Sequence, residues 1–309
     1  MRHKLTNLCN GLDLKQGETK LAKNVTVRTL AKMKQAGEKI AMMTAYDYPT
    51  AHLLSEAGVH ILLIGDSLGM VVQGQTTTVP VTLDQMIYHA SMVSRGATNG
   101  AMVVADLPFL TYQVSPEDAM RSAARMMQEG GVHGLKLEGG RELAPTIARL
   151  VRAGIPVMGH IGLTPQSVHA FGGFAVQGKT ADAAMRMIED AKALAEAGAF
   201  AIVLEAVPAE VAAAVTEQLT IPTIGIGAGP QCDGQVLVFH DFIGYTSGYI
   251  PKHNKRYASI AETIVTAARQ YVDEVKSGAF PGEEQTVHLQ ASEQEAFLDL
   301  LQRKGERRG

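Results

Sequence analysis

Cysteine is scarce in this chain, with only Cys9 and Cys232 among 309 residues. The two lie far apart and lack the spacing of metal ligands, which argues against a disulfide scaffold or a cysteine-based metal site. For such a composition a reducing compartment, the cytoplasm, is the default expectation.

Long apolar runs and basic clusters are also missing. No stretch approaches the roughly 18 uninterrupted apolar residues of a membrane span. The N-terminal segment has no apolar core of a secretory signal, and its acidic residues, Asp13 and Glu18, disfavour an organellar transit peptide. The net charge is −3, and basic residues cluster only at the extreme C-terminus. We therefore expect neither a membrane nor a nucleic acid as partner.

What the sequence does contain is a regular alternation of short apolar runs and segments of helical periodicity. It has 46% hydrophobic and 19% charged residues, the composition of a globular protein with a sizeable core. We predict an N-terminal extension over residues 1–23, a catalytic domain over 24–288 and a charged tail over 289–309.

The alternation predicts an α/β fold, either a (β/α)8 TIM barrel or a doubly wound sheet. Eight strand candidates can be counted along the chain. Polar residues that could carry chemistry follow most of them, whereas a doubly wound sheet concentrates such residues at one switch point. No G-x-G-x-x-G follows the first strand. These three observations favour a single barrel.

Five of the apolar runs end in a charged or polar residue: Asp66, Asp106, Glu138, His160 and Glu205. Side chains on a strand alternate between its two faces, so Lys136 shares a face with Glu138, and Ile64 is expected to share one with Asp66. The carboxyl ends of all barrel strands meet at one mouth. We expect the five residues and Lys136 to converge there.

Several carboxylates in a partly desolvated mouth repel one another and require a counter-ion. Oxygen ligands with positions left for water and substrate suit Mg²⁺ better than zinc. Asp66 and Asp106 are the preferred direct ligands, and Glu138, beside Lys136, is better placed to act through water.

A metal with open positions can chelate a 2-oxo acid through its keto and carboxylate oxygens and stabilise the enolate formed on deprotonation. Ser67 and Lys136 can bind the substrate carboxylate. Glu205 is the remaining strand-end carboxylate and the candidate general base, and burial is expected to raise its pKa toward a useful range.

Plainer interpretations remain open for each residue alone. A strand-end aspartate is more often a helix cap than a ligand, and Lys136 with Glu138 could be a structural ion pair. His160 in isolation reads best as a hydrogen-bonded core histidine. The convergence of five strand ends is less easily explained in this way.

Weaker candidates lie nearby. Asp47 fits the strand-end pattern, yet the proline two residues later makes a helix cap equally plausible. Glycines between residues 225 and 229 could bind a phosphate, although a tight turn is favoured. Tyr46, Tyr112 and Phe171 could stack on a flat cofactor, but packing is the commoner role of single aromatics.

Six blocks of this sequence resemble the ketopantoate hydroxymethyltransferase family, and the resemblance runs from about residue 25 to residue 288. The blocks are Thr44-Ala45-Tyr46-Asp47, Gly65-Asp66-Ser67-Leu68-Gly69-Met70, Ala105-Asp106-Leu107-Pro108-Phe109, Lys136-Leu137-Glu138-Gly139-Gly140, the nine residues from Gly159 to Ser167, and Gly225-Ile226-Gly227-Ala228-Gly229. Their number and order make the resemblance specific.

The resemblance implies a barrel of the phosphoenolpyruvate/pyruvate type that transfers a hydroxymethyl group from 5,10-methylenetetrahydrofolate to 3-methyl-2-oxobutanoate. The product is 2-dehydropantoate, in the first committed step toward pantothenate and coenzyme A. The resemblance assigns Mg²⁺ to Asp66, Asp106 and Glu138. It assigns the substrate to Asp66, Ser67, Asp106, Lys136 and His160, and the proton acceptor to Glu205. It also implies a homo-oligomer, commonly a decamer of two pentamer rings.

Two competing functions share parts of this pattern. One is a Mg²⁺-dependent lyase or mutase of the isocitrate lyase or phosphoenolpyruvate mutase type, whose members resemble this chain in fold but tend to carry a reactive cysteine in a mobile loop. The other is a barrel that binds 2-oxo acids without catalysis. Retention of the base, the metal ligands and the lysine argues against the second. Residues 74–78 and 172–178 are candidate mobile lids.

Overall fold

Eight parallel strands form a closed barrel in which each strand pairs with the next and β8 returns to β1. The computed structural model describes residues 24–246 and 254–306. In chain order the strands are β1 (Ile40–Thr44), β2 (Ile61–Ile64), β3 (Met102–Asp106), β4 (Gly134–Glu138), β5 (Val157–Gly162), β6 (Ala201–Glu205), β7 (Thr223–Ile226) and β8 (Gly234–Leu237). The predicted (β/α)8 barrel is confirmed.

Twelve α-helices are found among the described residues. They are α1 (Val27–Ala36), α2 (Tyr48–Glu56), α3 (Leu68–Val71), α4 (Leu83–Gly96), α5 (Pro116–Gly130), α6 (Ala144–Arg152), α7 (Val168–Phe171), α8 (Ala181–Glu196), α9 (Ala209–Gln218), α10 (Phe239–Phe242), α11 (Ile260–Ser277) and α12 (Ala291–Glu306). Short 3-10 turns precede α6 and α7, at Arg141–Leu143 and Pro165–Ser167.

The helix boundaries follow from local chemistry. Ser115 caps α5, because its side chain accepts a hydrogen bond from the backbone N–H of Asp118 and Pro116 fills the first helical position. At the other end of α1, Gly37 adopts φ 70°, the left-handed conformation that a helix C-cap often requires.

The apolar core consists of two clusters: one fills the barrel interior, and the other lies between the strands and the surrounding helices. The interior cluster includes Ile40, Met42, Ile61, Leu63, Met102, Val104, Met158, Ala201, Val203, Ile224 and Val236. The helix-facing cluster includes Leu62, Ile64, Val103, Ala105, Leu135, Leu137, Ile202 and Leu204. The alternation predicted for β3 to β6 is therefore correct.

One prediction of facing is wrong. Ile64 packs toward the helices and Leu63 toward the interior, so Ile64 does not share a face with a mouth residue. The reason is that β2 ends at Ile64 and the chain turns at Asp66 and Ser67 before α3. Period-two alternation applies only within the extended strand.

Four helices were not predicted: the short helices α3, α7 and α10, and α12, which occupies most of the C-terminal tail. The predicted N-terminal extension, residues 1–23, lies outside the described residues.

By contacts the chain divides into one unit ending at Tyr257 and a second beginning at Ala258. The first contains the barrel, and the second contains α11 and α12. The predicted boundary at residue 288 stays a prediction. Over residues 24–246 and 254–306, no helix has both the length and the apolar character needed to traverse a bilayer. Cys232 is a buried free thiol.

Candidate active site

The strand register brings the predicted mouth residues side by side. Asp106 of β3 pairs with Lys136 of β4, and Glu138 of β4 pairs with His160 of β5. Glu205, at the end of β6, pairs with Gly162 of β5. Because these residues end adjacent parallel strands, their side chains meet at the carboxyl-end mouth, as predicted.

Asp66 and Ser67 enter the same mouth from the turn after β2. The backbone N–H of Asp66 donates to Asp106 Oδ2 at 3.1 Å. The Ser67 hydroxyl lies 2.8 Å from the hydroxyl of Tyr46, which follows β1. Tyr46 is fully buried, and burial is the main cause of the rise in its pKa, so the phenol stays protonated. The structure gives Tyr46 a hydrogen-bonding role beside Ser67.

Lys136 supplies the positive charge at the centre of the cluster. Its Nζ lies 2.8 Å from Asp106 Oδ1, 3.9 Å from Glu138 Oε1 and 3.2 Å from His160 Nδ1. Burial acts to lower the pKa of Lys136, but the charges of Asp106 and Glu138 outweigh burial and raise it. The lysine is therefore a permanent cation.

His160 lies between two carboxylates. Its Nδ1 is 3.3 Å from Glu138 Oε1, and its Nε2 is 3.3 Å from Glu205 Oε2. Burial and Lys136 act to lower the pKa of His160, but the two carboxylates outweigh them and raise it to about 9. A histidine that is 2% exposed and protonated at neutral pH is not the ordinary neutral core residue that the sequence suggested in isolation.

Glu205 differs from the other carboxylates in its access to solvent. Its side chain is 21% exposed, whereas those of Asp106 and Glu138 are 3% exposed. The only ion pair seen for it among the described residues is with His160. Glu205 is thus the carboxylate that a molecule entering the mouth can reach.

The donor set fits a divalent cation. Among the described residues, Asp106 Oδ1 and Glu138 Oε1 are buried without a hydrogen-bond partner of acceptable geometry, although Lys136 lies near both. Burial is the main cause of the raised pKa values of Asp66 and Asp106; the charge of Glu138 adds to both, and the charge of Asp106 adds to that of Asp66. An added cation would give these oxygens a partner and would lower the pKa values of both aspartates.

The pKa of Glu138 is shifted in the opposite direction to those of Asp66 and Asp106. Burial acts to raise the pKa of Glu138, but the nearby His160 and Lys136 outweigh it and hold that pKa below its usual value.

Within the described residues, no three His, Cys, Asp or Glu side chains are arranged to hold one metal ion. A cation here would take at most two direct protein ligands, which is the usual manner of Mg²⁺.

Two buried residues link the carboxylates and were not singled out for this role from the sequence. The Nε2 group of Gln166 donates to Asp66 Oδ2 at 2.9 Å, and its backbone N–H donates to Glu138 Oε2 at 3.0 Å. The Tyr112 hydroxyl accepts from the backbone N–H of Glu138 at 3.0 Å. A glutamine in a loop carries no local signal of burial, so the sequence pattern could not reveal it.

Among the weaker candidates, Asp47 and Tyr112 make structural hydrogen bonds. Asp47 caps α2 by accepting from the backbone N–H of Thr50 at 2.8 Å. Gly227 and Gly229 have positive φ values in the turn between β7 and β8. Phe171 lies exposed in α7, and Tyr112 is buried and hydrogen-bonded.

A closed barrel of parallel strands with a charged mouth defines a (β/α)8 barrel protein, and solved structures agree. A 2,3-dimethylmalate lyase of the PEP mutase/isocitrate lyase superfamily has a TM-score of 0.53 at 18% identity, covering 92% of this chain and 98% of its own. A phosphonopyruvate hydrolase in complex with oxalate and Mg²⁺ has a TM-score of 0.54 at 14% identity, covering 89% and 98%. These likenesses show the fold, a TIM barrel.

Sequence relatives narrow the class. The family model for ketopantoate hydroxymethyltransferase matches residues 24–283. A 3-methyl-2-oxobutanoate hydroxymethyltransferase of Carboxydothermus hydrogenoformans is 59% identical over 259 residues, covering 84% of this chain and 94% of its own. One of Syntrophus aciditrophicus is 56% identical, covering 85% and 96%. The chain belongs to the ketopantoate hydroxymethyltransferase family and is an enzyme of the transferase class.

Proposed function

We propose that this protein transfers a hydroxymethyl group from 5,10-methylenetetrahydrofolate to 3-methyl-2-oxobutanoate, giving 2-dehydropantoate in the first committed step of pantothenate biosynthesis. The observation that carries the proposal is the mouth itself. A buried group of carboxylates surrounds Lys136, and a more accessible carboxylate, Glu205, lies beside it. The chain also belongs to the ketopantoate hydroxymethyltransferase family.

The proposed metal is Mg²⁺, held directly by Asp66 and Asp106 and through water by Glu138. The buried oxygens Asp106 Oδ1 and Glu138 Oε1, whose near neighbour is Lys136 but which have no hydrogen bond of good geometry, support a cation beside these two residues. When bound, Mg²⁺ supplies a Lewis acid for the keto and carboxylate oxygens of a 2-oxo acid. A structural neighbour that binds oxalate and Mg²⁺ on the same fold is consistent with this chemistry.

The base is Glu205. Its carboxylate removes the proton at C3 of 3-methyl-2-oxobutanoate, and C3 of the enolate forms a bond to the one-carbon unit. Both bonds from that carbon to the two folate nitrogens break, and water supplies the hydroxyl group. The remaining proton of that water and the proton removed from C3 go to the two nitrogens, and tetrahydrofolate leaves. His160, 3.3 Å from Glu205 Oε2, holds the carboxylate in place and stabilises its charge. A positioned base of this kind contributes about 10²–10⁴-fold to a rate.

The substrate carboxylate is proposed to bind at Ser67 and Lys136. The Ser67 hydroxyl is oriented by the buried Tyr46 hydroxyl. Lys136 is a permanent cation close to Asp106 and Glu138. His160 also contacts the substrate in this assignment, and its protonated ring suits an anionic ligand.

The two competing functions have less support. The lyase and mutase structures match at 15–18% identity, against 52–59% for the hydroxymethyltransferases. Cys232 is buried immediately before Asp233 at the amino end of β8, away from any mouth loop. A barrel that only binds 2-oxo acids would have no need of Glu205 beside a charged histidine.

Proton exchange at C3 tests the proposal without the folate. With Mg²⁺ in D₂O, the wild-type protein should exchange the C3 proton of 3-methyl-2-oxobutanoate, observed by proton NMR. Glu205→Gln should lower the exchange rate by about 10²–10⁴-fold while substrate binding by calorimetry is retained. Glu210→Gln, in the first turn of α9, is the matched control and should exchange normally.

Two outcomes would contradict the proposal. Exchange by Glu205→Gln at the wild-type rate would remove Glu205 as the base. Wild-type protein that exchanges but forms no 2-dehydropantoate with 5,10-methylenetetrahydrofolate would exclude the transferase and favour another enolate chemistry.

We further propose a homo-oligomer, a decamer of two pentamer rings, in the cytoplasm. Apolar side chains of α11, among them Ile264, Val272 and Val275, are more than two-fifths exposed, which supports association between copies. The molar mass from light scattering should equal ten chains; a monomeric mass would refute the assembly.

A further inference from the structure

Gln166 connects three strand ends without belonging to any strand. It lies in the 3-10 turn after β5 and is 4% exposed. Its side chain and backbone contact Asp66 after β2, Leu107 after β3 and Glu138 at the end of β4. A single polar residue thus reaches two of the carboxylates assigned to the metal.

The orientation of the Gln166 amide is determined by its neighbours. Its Oε1 accepts from the Tyr112 hydroxyl at 2.8 Å and from Gln113 Nε2 at 3.0 Å. Its Nε2 donates to Asp66 Oδ2 and to the Leu107 carbonyl oxygen, both at 2.9 Å. A primary amide has two donor hydrogens and two acceptor sites, and all four are used.

The reverse orientation is therefore disfavoured. It would place Oε1 against two acceptors, Asp66 Oδ2 and the Leu107 carbonyl oxygen, and the NH₂ group against the NH₂ group of Gln113. Buried polar groups left unpaired in this way cost about 1–3 kcal/mol each. In the favoured orientation Gln166 presents an N–H to Asp66.

The two carboxylates are held by one oxygen each. Gln166 contacts Asp66 through Oδ2 and Glu138 through Oε2. In this arrangement Glu138 Oε1 has no hydrogen-bond partner among the described residues. Donors on the outer oxygens fix the rotation of both carboxylates and reduce the repulsion between them.

We infer that Gln166 is a positioning residue for the divalent cation, setting the orientation of Asp66 through its side-chain amide and that of Glu138 through its backbone N–H. The inference rests on the proposed function, since it concerns the same metal. Outer partners of ligating carboxylates contribute about 10–100-fold to metal affinity or activity.

Calorimetric titration with Mg²⁺ alone tests the inference without turnover. Gln166→Met keeps the length of the side chain but cannot donate to Asp66, so its Mg²⁺ dissociation constant should rise by about 10–100-fold. Circular dichroism without metal should match the wild type. At saturating Mg²⁺ the transfer rate should return close to the wild-type value, a rescue that a general loss of structure would not show.

Two further variants keep the test interpretable. Gln235→Met is the matched control: Gln235 is exposed and donates to the Gly229 carbonyl oxygen at the same 2.9 Å, so its Mg²⁺ affinity should equal that of the wild type. Gln166→Asn, one methylene too short to reach Asp66, adds no bulk and should weaken Mg²⁺ binding as Gln166→Met does.

Failure of the inference differs from failure of the proposed function. If both Gln166 variants bind Mg²⁺ as tightly as the wild type, or if saturating Mg²⁺ does not restore transfer, Gln166 has no positioning role even though the wild type is active. If the wild type binds Mg²⁺ and loses affinity on substitution but transfers no hydroxymethyl group, the positioning role stands and the reaction is wrong.

Discussion

Histidines at the two ends of the barrel have pKa values shifted in opposite directions. His60 and His133 directly precede β2 and β4 at the amino end, and their Nδ1 atoms accept backbone N–H groups of Ala41 and Val103 at 3.0 and 2.9 Å. Burial lowers the pKa of both, which keeps them neutral. At the mouth, carboxylates raise the pKa of His160 to about 9.

Ion pairs show the same contrast. At the amino end, Lys34 Nζ lies 2.7 Å from Asp233 Oδ2, and the pair is completed by bonds to Thr216 and Thr223. At the mouth, Lys136 Nζ lies 2.8 Å from Asp106 Oδ1 and 3.9 Å from Glu138 Oε1, and neither oxygen accepts a hydrogen bond from any other described residue. The amino end satisfies its own polar groups and stabilises the fold, whereas the mouth retains unsatisfied groups for a ligand.

Replacing each lysine in turn should give the largest difference between the two ends of the barrel. Lys136→Met leaves buried carboxylates without their counter-charge, so unfolding free energy should fall by about 3–5 kcal/mol and transfer should be abolished. Lys34→Met removes a partly exposed pair and should cost less, with the transfer rate unchanged. Urea unfolding and the transfer assay measure both. Equal stability losses in the two variants would contradict the distinction between the ends.

Two glycines with similar φ values test the same contrast between the mouth and the amino end of the barrel. Gly162 at the mouth has φ 96°, and a Cβ there would overlap the Glu205 backbone oxygen and lie 2.7 Å from Val207 Cγ2. Gly154, before β5, has φ 89° with open space around it. Gly162→Ala should cost about 2–5 kcal/mol and displace Glu205, whereas Gly154→Ala should cost only about 1–2 kcal/mol from backbone strain.

Urea unfolding and C3 proton exchange distinguish the glycine variants. Stability losses that match, together with normal exchange by Gly162→Ala, would show that the close approach of β5 and β6 at the mouth does not position the base.

Metal addition should stabilise only through the mouth. At free Mg²⁺ of about 100 times its dissociation constant, unfolding free energy should rise by about 2.7 kcal/mol, and chelation should reverse the gain. Asp106→Asn should lose most of this gain. Asp233→Asn, at the amino end, should keep it despite a lower basal stability. A gain retained in Asp106→Asn would remove that residue from the ligand set.

The smallest effect concerns pH at the amino end. Because burial lowers the pKa of His133 in the folded state, the unfolded chain takes up the proton first as pH falls, and stability is lost below the ordinary histidine pKa. His133→Asn can retain the acceptor toward Val103 without titrating. Its unfolding free energy should therefore fall less than that of the wild type between roughly pH 7.5 and roughly pH 5.5. Parallel pH profiles would show that His133 does not titrate on unfolding.

Much of the architecture was accessible from the sequence because strands and caps are local features. All eight strands were predicted, with boundaries shifted by a few residues, and the alternation around Lys136 and Glu138 assigned the correct faces. The facing of Ile64 failed because the strand ended before the pattern did. The tail helix α12 was missed because a run of charged residues was interpreted as exposed chain.

By itself the sequence determined the order of strands and helices, the type of residue at each strand end, and the family through its matched blocks. Those properties depend on short-range periodicity and on residue identity. Only the tertiary structure decided which carboxylate oxygens lack hydrogen bonds, that His160 lies between Glu138 and Glu205, and that Gln166 reaches Asp66, 100 positions earlier in the chain. Such contacts depend on barrel closure and on loop conformation, which local patterns do not encode.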